Sequence, residues 1–141
     1  MLGVISTYAQ FSGQLSHPGM VFNTQDLDRM RDNINVEPWR TGYQIMLDDS
    51  KSSFNYQMQG PFERVDRNGA NFGEFNDDMD AIYYQSIQYY ITGDERYTES
   101  AIEMIEAWVL THEFIGGNVP TLASADRGVR MITGAEILRY N

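Results

Sequence analysis

Residues Tyr89-Tyr90-Ile91-Thr92-Gly93-Asp94-Glu95-Arg96-Tyr97 join two helical patterns so closely that the chain must double back there. Upstream, Met79, Ile82, Tyr83, Ile87, Tyr90 and Ile91 recur at helical spacing; downstream, Tyr97, Ala101, Met104, Ile105, Trp108 and Val109 do the same. Gly93 has no Cβ to oppose the left-handed conformation that closes the first helix, and the Asp94 side chain can accept from the first unpaired amides of the second. The result is an aromatic-rich αα-hairpin over about 78–112. Repeated hairpins of this kind build bundles, solenoids and α/α toroids.

The rest of the chain reads as further helices around one interruption. Residues 1–22 form an irregular lead-in with a turn at His17-Pro18-Gly19. Thr24 is expected to cap a helix whose first turn carries Asp26 and Asp28, with Leu27, Met30, Arg31 and Ile34 on one face and Arg29 on the polar side. Pro38 suits the first position of a second helix with the stripe Trp39, Tyr43, Met46 and Leu47. Trp39 and Trp108 each fall on an apolar stripe and are both expected in the core. Between about 51 and 77 the helical period is lost, with Gly60-Pro61, Asn68-Gly69 and Gly73 and only brief alternation near 62–65. Phe54, Tyr56, Phe62, Phe72 and Phe75 argue that this long loop is ordered. Gly116-Gly117-Asn118-Val119-Pro120 ends the hairpin, and a last helix is expected from about Ala123 to Arg139. The reading is all-α, with four to five helices and one long loop in one domain.

Charge narrows the partners. The 141-residue chain has a formal net charge of −10. Residues 78–113 hold eight acidic residues and one basic, while the last helix carries a small positive excess. Such acidity disfavours nucleic acid, which requires basic surface. There is no cysteine, hence no disulfide, thiolate metal site or cysteine nucleophile. No apolar run approaches the roughly 18 residues of a membrane span.

Six short pieces, in one order, carry a resemblance. They are Ser16-His17-Pro18-Gly19-Met20; Asp26-Leu27-Asp28-Arg29-Met30-Arg31; Glu37-Pro38-Trp39-Arg40-Thr41-Gly42-Tyr43; Val65-Asp66-Arg67-Asn68 through Asn71; Ile91-Thr92-Gly93-Asp94 with Ala107-Trp108; and Ala135-Glu136-Ile137-Leu138-Arg139. Together they resemble the N-terminal part of the alginate lyase family of polysaccharide lyases. The resemblance implies an incomplete α/α toroid over 23–141, with a sugar chain lying across helix ends. It implies a periplasmic or secreted enzyme that cleaves alginate or a related polyuronate and takes no cofactor. It also implies that the family's base and acid, a His and a Tyr with Asn and Arg beside them, fall downstream of Asn141. No catalytic residue is then assigned within this chain, and the chain alone is expected to be inactive and only marginally folded.

β-Elimination on a uronate needs its carboxylate neutralised, a base for the C5 proton and an acid for the leaving oxygen. Arg and Asn donate several hydrogen bonds to a planar carboxylate and suit the first task. In the long loop, Arg64, Arg67, Asn68 and Asn71 are candidate substrate-binding residues, with Tyr56 as a stacking ring; the resemblance raises Arg67 and Asn71 above the others. Asn68-Gly69 can equally be a plain turn, with the two Arg paired to Glu63 and Asp66. Arg127 and Arg130, three apart on one helix face, are the second candidates. His17 and His112 are read as structural, at a turn and at a helix end where a charged ring favours the dipole. Asp77, Asp78 and Asp80 lack the alternation and the late Glu of a calcium loop and are expected to cap a helix; no metal ligand set is assigned. Two rival functions stay open: a helical carbohydrate-binding module without catalysis, and an α/α-toroid glycoside hydrolase with paired carboxylates.

Overall fold

The computed structural model describes residues 18–140. His17 and most of the lead-in segment therefore lie outside the described residues. Chain order runs α1 (Thr24–Asn33), α2 (Trp39–Asp48), a short 3-10 turn (Ser50–Ser52), β1 (Arg64–Arg67), α3 (Phe72–Thr92), α4 (Glu95–Thr111), β2 (Phe114–Gly117) and α5 (Pro120–Tyr140).

The hairpin forms as the sequence requires. Gly93 is left-handed at φ 69°, its N–H donates to Tyr89 O at 2.7 Å, and the Asp94 side chain accepts from Arg96 N at 3.1 Å. α4 then lays Ala101, Met104 and Trp108 against α3, and all three are buried. α3 is buried nearly all round, as a central helix must be. Val65, Phe75, Met79, Ile82, Met104 and Trp108 make the main core cluster. Trp108 is 2% exposed, as expected from its stripe. A second cluster seats Leu27 of α1 among Ile87, Tyr90 and Ile137.

Several expectations are corrected. The chain is mostly helical with five helices, as expected, but it also holds a small two-stranded sheet, in which β1 and β2 pair in parallel with Val65 opposite Ile115 and Arg67 opposite Gly117. Each strand has four residues and its partner lies some fifty positions away, so neither period nor turn chemistry announces it. The long loop is accordingly shorter than expected. α3 begins at Phe72, after Asn71 in the left-handed conformation, so Asp77, Asp78 and Asp80 lie inside the helix and cap nothing. α1 is capped by Asn23, one residue before Thr24. Its side chain accepts from Asp26 N at 3.0 Å while Asp26 accepts from Asn23 N at 3.2 Å, a reciprocal capping box.

Trp39 is not a core residue. It is 37% exposed, and no residue of α2 is buried. The inner positions of α2 are taken by Tyr43, which donates to Gln88 Oε1 at 2.8 Å, and by Met46. Trp39, a turn earlier, is left at the rim of a 390 Å³ apolar groove between Met30 of α1, Ile34 just beyond that helix, α2 itself and Ile87 of α3.

α3 and α5 run the same way. Asp80 meets Arg127 and Arg130, and one and a half turns later Ser86 faces Gly134, where a Cβ would come within 2.9 Å of Ser86 Oγ. β1 leads into α3 and β2 leads into α5, so paired strand ends and two helix N-termini share one end of the molecule.

Candidate functional site

The loop that precedes β1 is held by one carboxylate. Asp78 is fully buried and accepts from Tyr56 Oη, Gln59 N, Gly60 N and Trp108 Nε1, each at 2.9 Å. A buried carboxylate is tolerable only when so supplied with donors. Trp108 also lies directly on Gly60, where any Cβ would collide with the indole. Tyr56 therefore serves as a strut rather than a stacking platform. Burial, and then its bond to Asp78, push its phenol pKa upward.

With the loop fixed, β1 delivers its end to the helix N-termini. The turn after it closes through Gly69 N to Asp66 O at 2.7 Å and Asp66 N to Ala70 O at 2.9 Å. Asn68 is left-handed and exposed within that turn. Asn71 Nδ2 donates to Arg64 O at 2.9 Å, so its amide ties strand to helix. Arg64 grips Asp66, with Nε 3.0 Å from each carboxylate oxygen and Nη2 2.8 Å from Oδ1, and lies over the Phe114 ring. The Arg64 bond holds the Asp66 carboxyl below its ordinary range. Of the two loop arginines, Arg64 thus takes the ion-pair alternative.

Arg67 does not. It is half-buried, and its Nη1 donates to Asn118 O at 3.0 Å, across the strand pair, in the turn between β2 and α5. Among the described residues it pairs with no carboxylate. The N-termini of α3 and α5 follow the two strand ends, each the positive end of a helix dipole; in α5, Pro120 has no N–H and Leu122 N already donates to Val119 O at 3.1 Å. The α3 N-cap, Asn71, makes no side-chain cap bond. The strand ends therefore combine a guanidinium with two helix ends, a setting suited to a carboxylate. Asn118 was not foreseen, because nothing in Gly116-Gly117-Asn118 marks a strand end until the partner strand is known.

Arg127 and Arg130 lie further along α5, about 10 Å from its start at 1.5 Å per residue for Arg127. Both reach the same oxygen, Asp80 Oδ1, Arg127 at 3.3 Å and Arg130 in closer contact. Asp80 is the second residue missed; its nearness to α5 depends on the crossing of two helices. His112 ends α4. Its ring stacks on Phe75 and its Nδ1 lies 3.1 Å from Phe62 O, which demands a proton on Nδ1. That places it in the packing beneath the strands.

Among the described residues no group of three or more His, Asp and Glu side chains could hold a metal ion. No helix among them is long and apolar enough to cross a membrane. The family model described as alginate lyase matches residues 35–140. No curated protein and no solved structure matches the chain.

Proposed function

The chain belongs to the alginate lyase family, and from that premise we propose that it is the N-terminal, substrate-holding portion of a polysaccharide lyase acting on alginate or a related polyuronate. The observation that carries this reading is Arg67: a half-buried guanidinium at two helix N-termini, held by a main-chain carbonyl and paired with no carboxylate among the described residues. The parallel run of α3 and α5, with α4 returning outside them, supports a toroid-like arrangement in which inner helix ends face the sugar.

In the reaction a base removes the C5 proton of the uronate, electron density moves into the carboxyl group, and the C4–O bond breaks. A C4–C5 double bond forms and the leaving oxygen takes a proton; no water is consumed. Neutralising the carboxylate is what makes the C5 proton removable. Arg67 performs that task here, with the α3 and α5 dipoles adding to it, while Asn118 fixes the direction of the guanidinium. Asn71 keeps the strand-to-helix turn in shape. No residue of this chain is assigned here as the base or the acid. Because its substrate is a polymer outside the cytoplasm, the enzyme is assigned to the periplasm or the medium.

The test is ultraviolet absorbance of the unsaturated product, formed by the full-length enzyme on a polyuronate. Arg67→Ala is expected to lower kcat/KM about ten- to a hundredfold, the worth of a charge-assisted contact of roughly 1.5–3 kcal/mol. Arg29→Ala, whose exposed guanidinium pairs with Asp26, is expected to change little. Equal kinetics in the two variants would remove Arg67 from the site. Cleavage without the absorbance would indicate a hydrolase, and binding without cleavage a carbohydrate-binding module.

A further inference from the structure

Asp80 has no part in the function proposed above, yet it organises the other cationic feature of the molecule. Its carboxylate is 15% exposed, and one oxygen serves both Arg127 Nη1 and Arg130 Nη1. A guanidinium carries five N–H donors in a rigid plane, so each arginine keeps donors beyond the one spent on Asp80. Arg130, with no other carboxylate partner among the described residues, lines a 310 Å³ groove with Tyr83, Tyr84, Val129 and Thr133. Two aromatic rings beside a guanidinium fit a sugar acid, whose ring has apolar faces and whose carboxylate accepts a planar fork.

Two buried polar atoms in the same region have no hydrogen-bond partner: Arg127 Nε, a donor, and Asn76 Oδ1, an acceptor one turn before Asp80. Asp126 Oδ2 lies 3.2 Å from Arg127 Nε, outside hydrogen-bonding alignment, and its side chain is more than half exposed. Each such group calls for an explanation, and a polar molecule held there is one; Gln85 Oε1 and Thr98 Oγ1 are in the same state elsewhere.

We propose that Asp80 is a positioning residue of a second subsite for the anionic polymer, orienting Arg127 and Arg130 so that Arg130 presents its fork to a sugar carboxylate in the groove beside Tyr83 and Tyr84. The proposal rests on the polyuronate reading of the Arg67 site. It reverses the sign that charge alone would give. Removing a carboxylate beside two arginines ought to improve the binding of an anion; here it releases the guanidiniums and weakens it.

The experiment is calorimetric titration of the 141-residue chain with a polymannuronate oligosaccharide, and with its carboxyl-reduced counterpart as the uncharged control. Wild type is expected to prefer the charged oligosaccharide, Asp80→Asn and Arg130→Gln each to bind it about tenfold more weakly, and the double variant no more weakly than Arg130→Gln alone, since the two act through one group. Folded Asp80→Asn that binds as tightly as wild type, or more tightly, overturns this inference and leaves the Arg67 reading standing. A wild-type chain without preference for the charged oligosaccharide overturns both. Should Asp80→Asn fail to fold by circular dichroism, Arg130→Lys decides. It keeps the charge and loses the fork, so about tenfold weaker binding is expected and unchanged binding overturns the proposal.

Discussion

Around Asp78, four donors from the loop and α4 converge on one buried carboxylate, whereas at the ends of β1 and β2 a guanidinium meets a single main-chain carbonyl. The two regions are joined by one loop and one strand, and they use polar groups in opposite ways. At Asp78 polarity is consumed internally and makes the loop rigid. At Arg67 it is positioned by main chain and left with capacity to bind. The comparison separates charged residues that hold the fold from those that serve a ligand, a separation that residue type alone does not make: Arg64 and Arg67 are three positions apart, and one of them is spent on Asp66.

Breaking the first region should have the largest effect. Asp78→Ala strands four donors in the interior, each worth about 1–3 kcal/mol. Even with the losses only partly additive, destabilisation on the order of 5 kcal/mol is expected. That is comparable to the whole stability of many domains, and chemical denaturation should find the variant largely unfolded. Trp108→Ala removes both a donor to Asp78 and the centre of the core, and should cost about 3–5 kcal/mol by the same measurement. Gly60→Ala drives a methyl group into the Trp108 indole and should cost roughly 1–3 kcal/mol. Trp39→Ala is the contrasting case. On the open rim of α2 it should cost about 1 kcal/mol or less, and a loss as large as that of Trp108 would mean that α2 is covered in solution.

Those contrasts show what the sequence made legible. The αα-hairpin was readable because its signals are local: periodic apolar residues, a glycine at the helix end, an aspartate at the next helix start. Trp108 was readable for the same reason. Trp39 carries an equally good stripe and was misplaced, because periodicity reports which face of a helix is apolar and not whether a neighbour covers it. The strand pair was hidden, since four residues cannot display a period and their partner comes after two helices. With the strands went the true start of α3, and so the role of Asp78. The family resemblance pointed to Arg67 and Asn71. Which of them keeps its donors for a ligand depends on Asn118 O and Arg64 O, main-chain atoms to which no sequence pattern refers.

The separation of structural from ligand-holding charge is tested most directly by the affinity of this chain for a polyuronate oligosaccharide, measured at low and at raised salt with Arg67→Gln beside Arg29→Gln. Arg67→Gln should bind about tenfold or more weakly than wild type at low salt, with unchanged thermal stability, and the difference should narrow as salt screens a partly exposed charge. Arg29→Gln should bind as wild type does. Equal affinity for the two variants, or a loss of stability in Arg67→Gln that accounts for its weaker binding, would contradict the account and return Arg67 to the residues that merely hold the strands together.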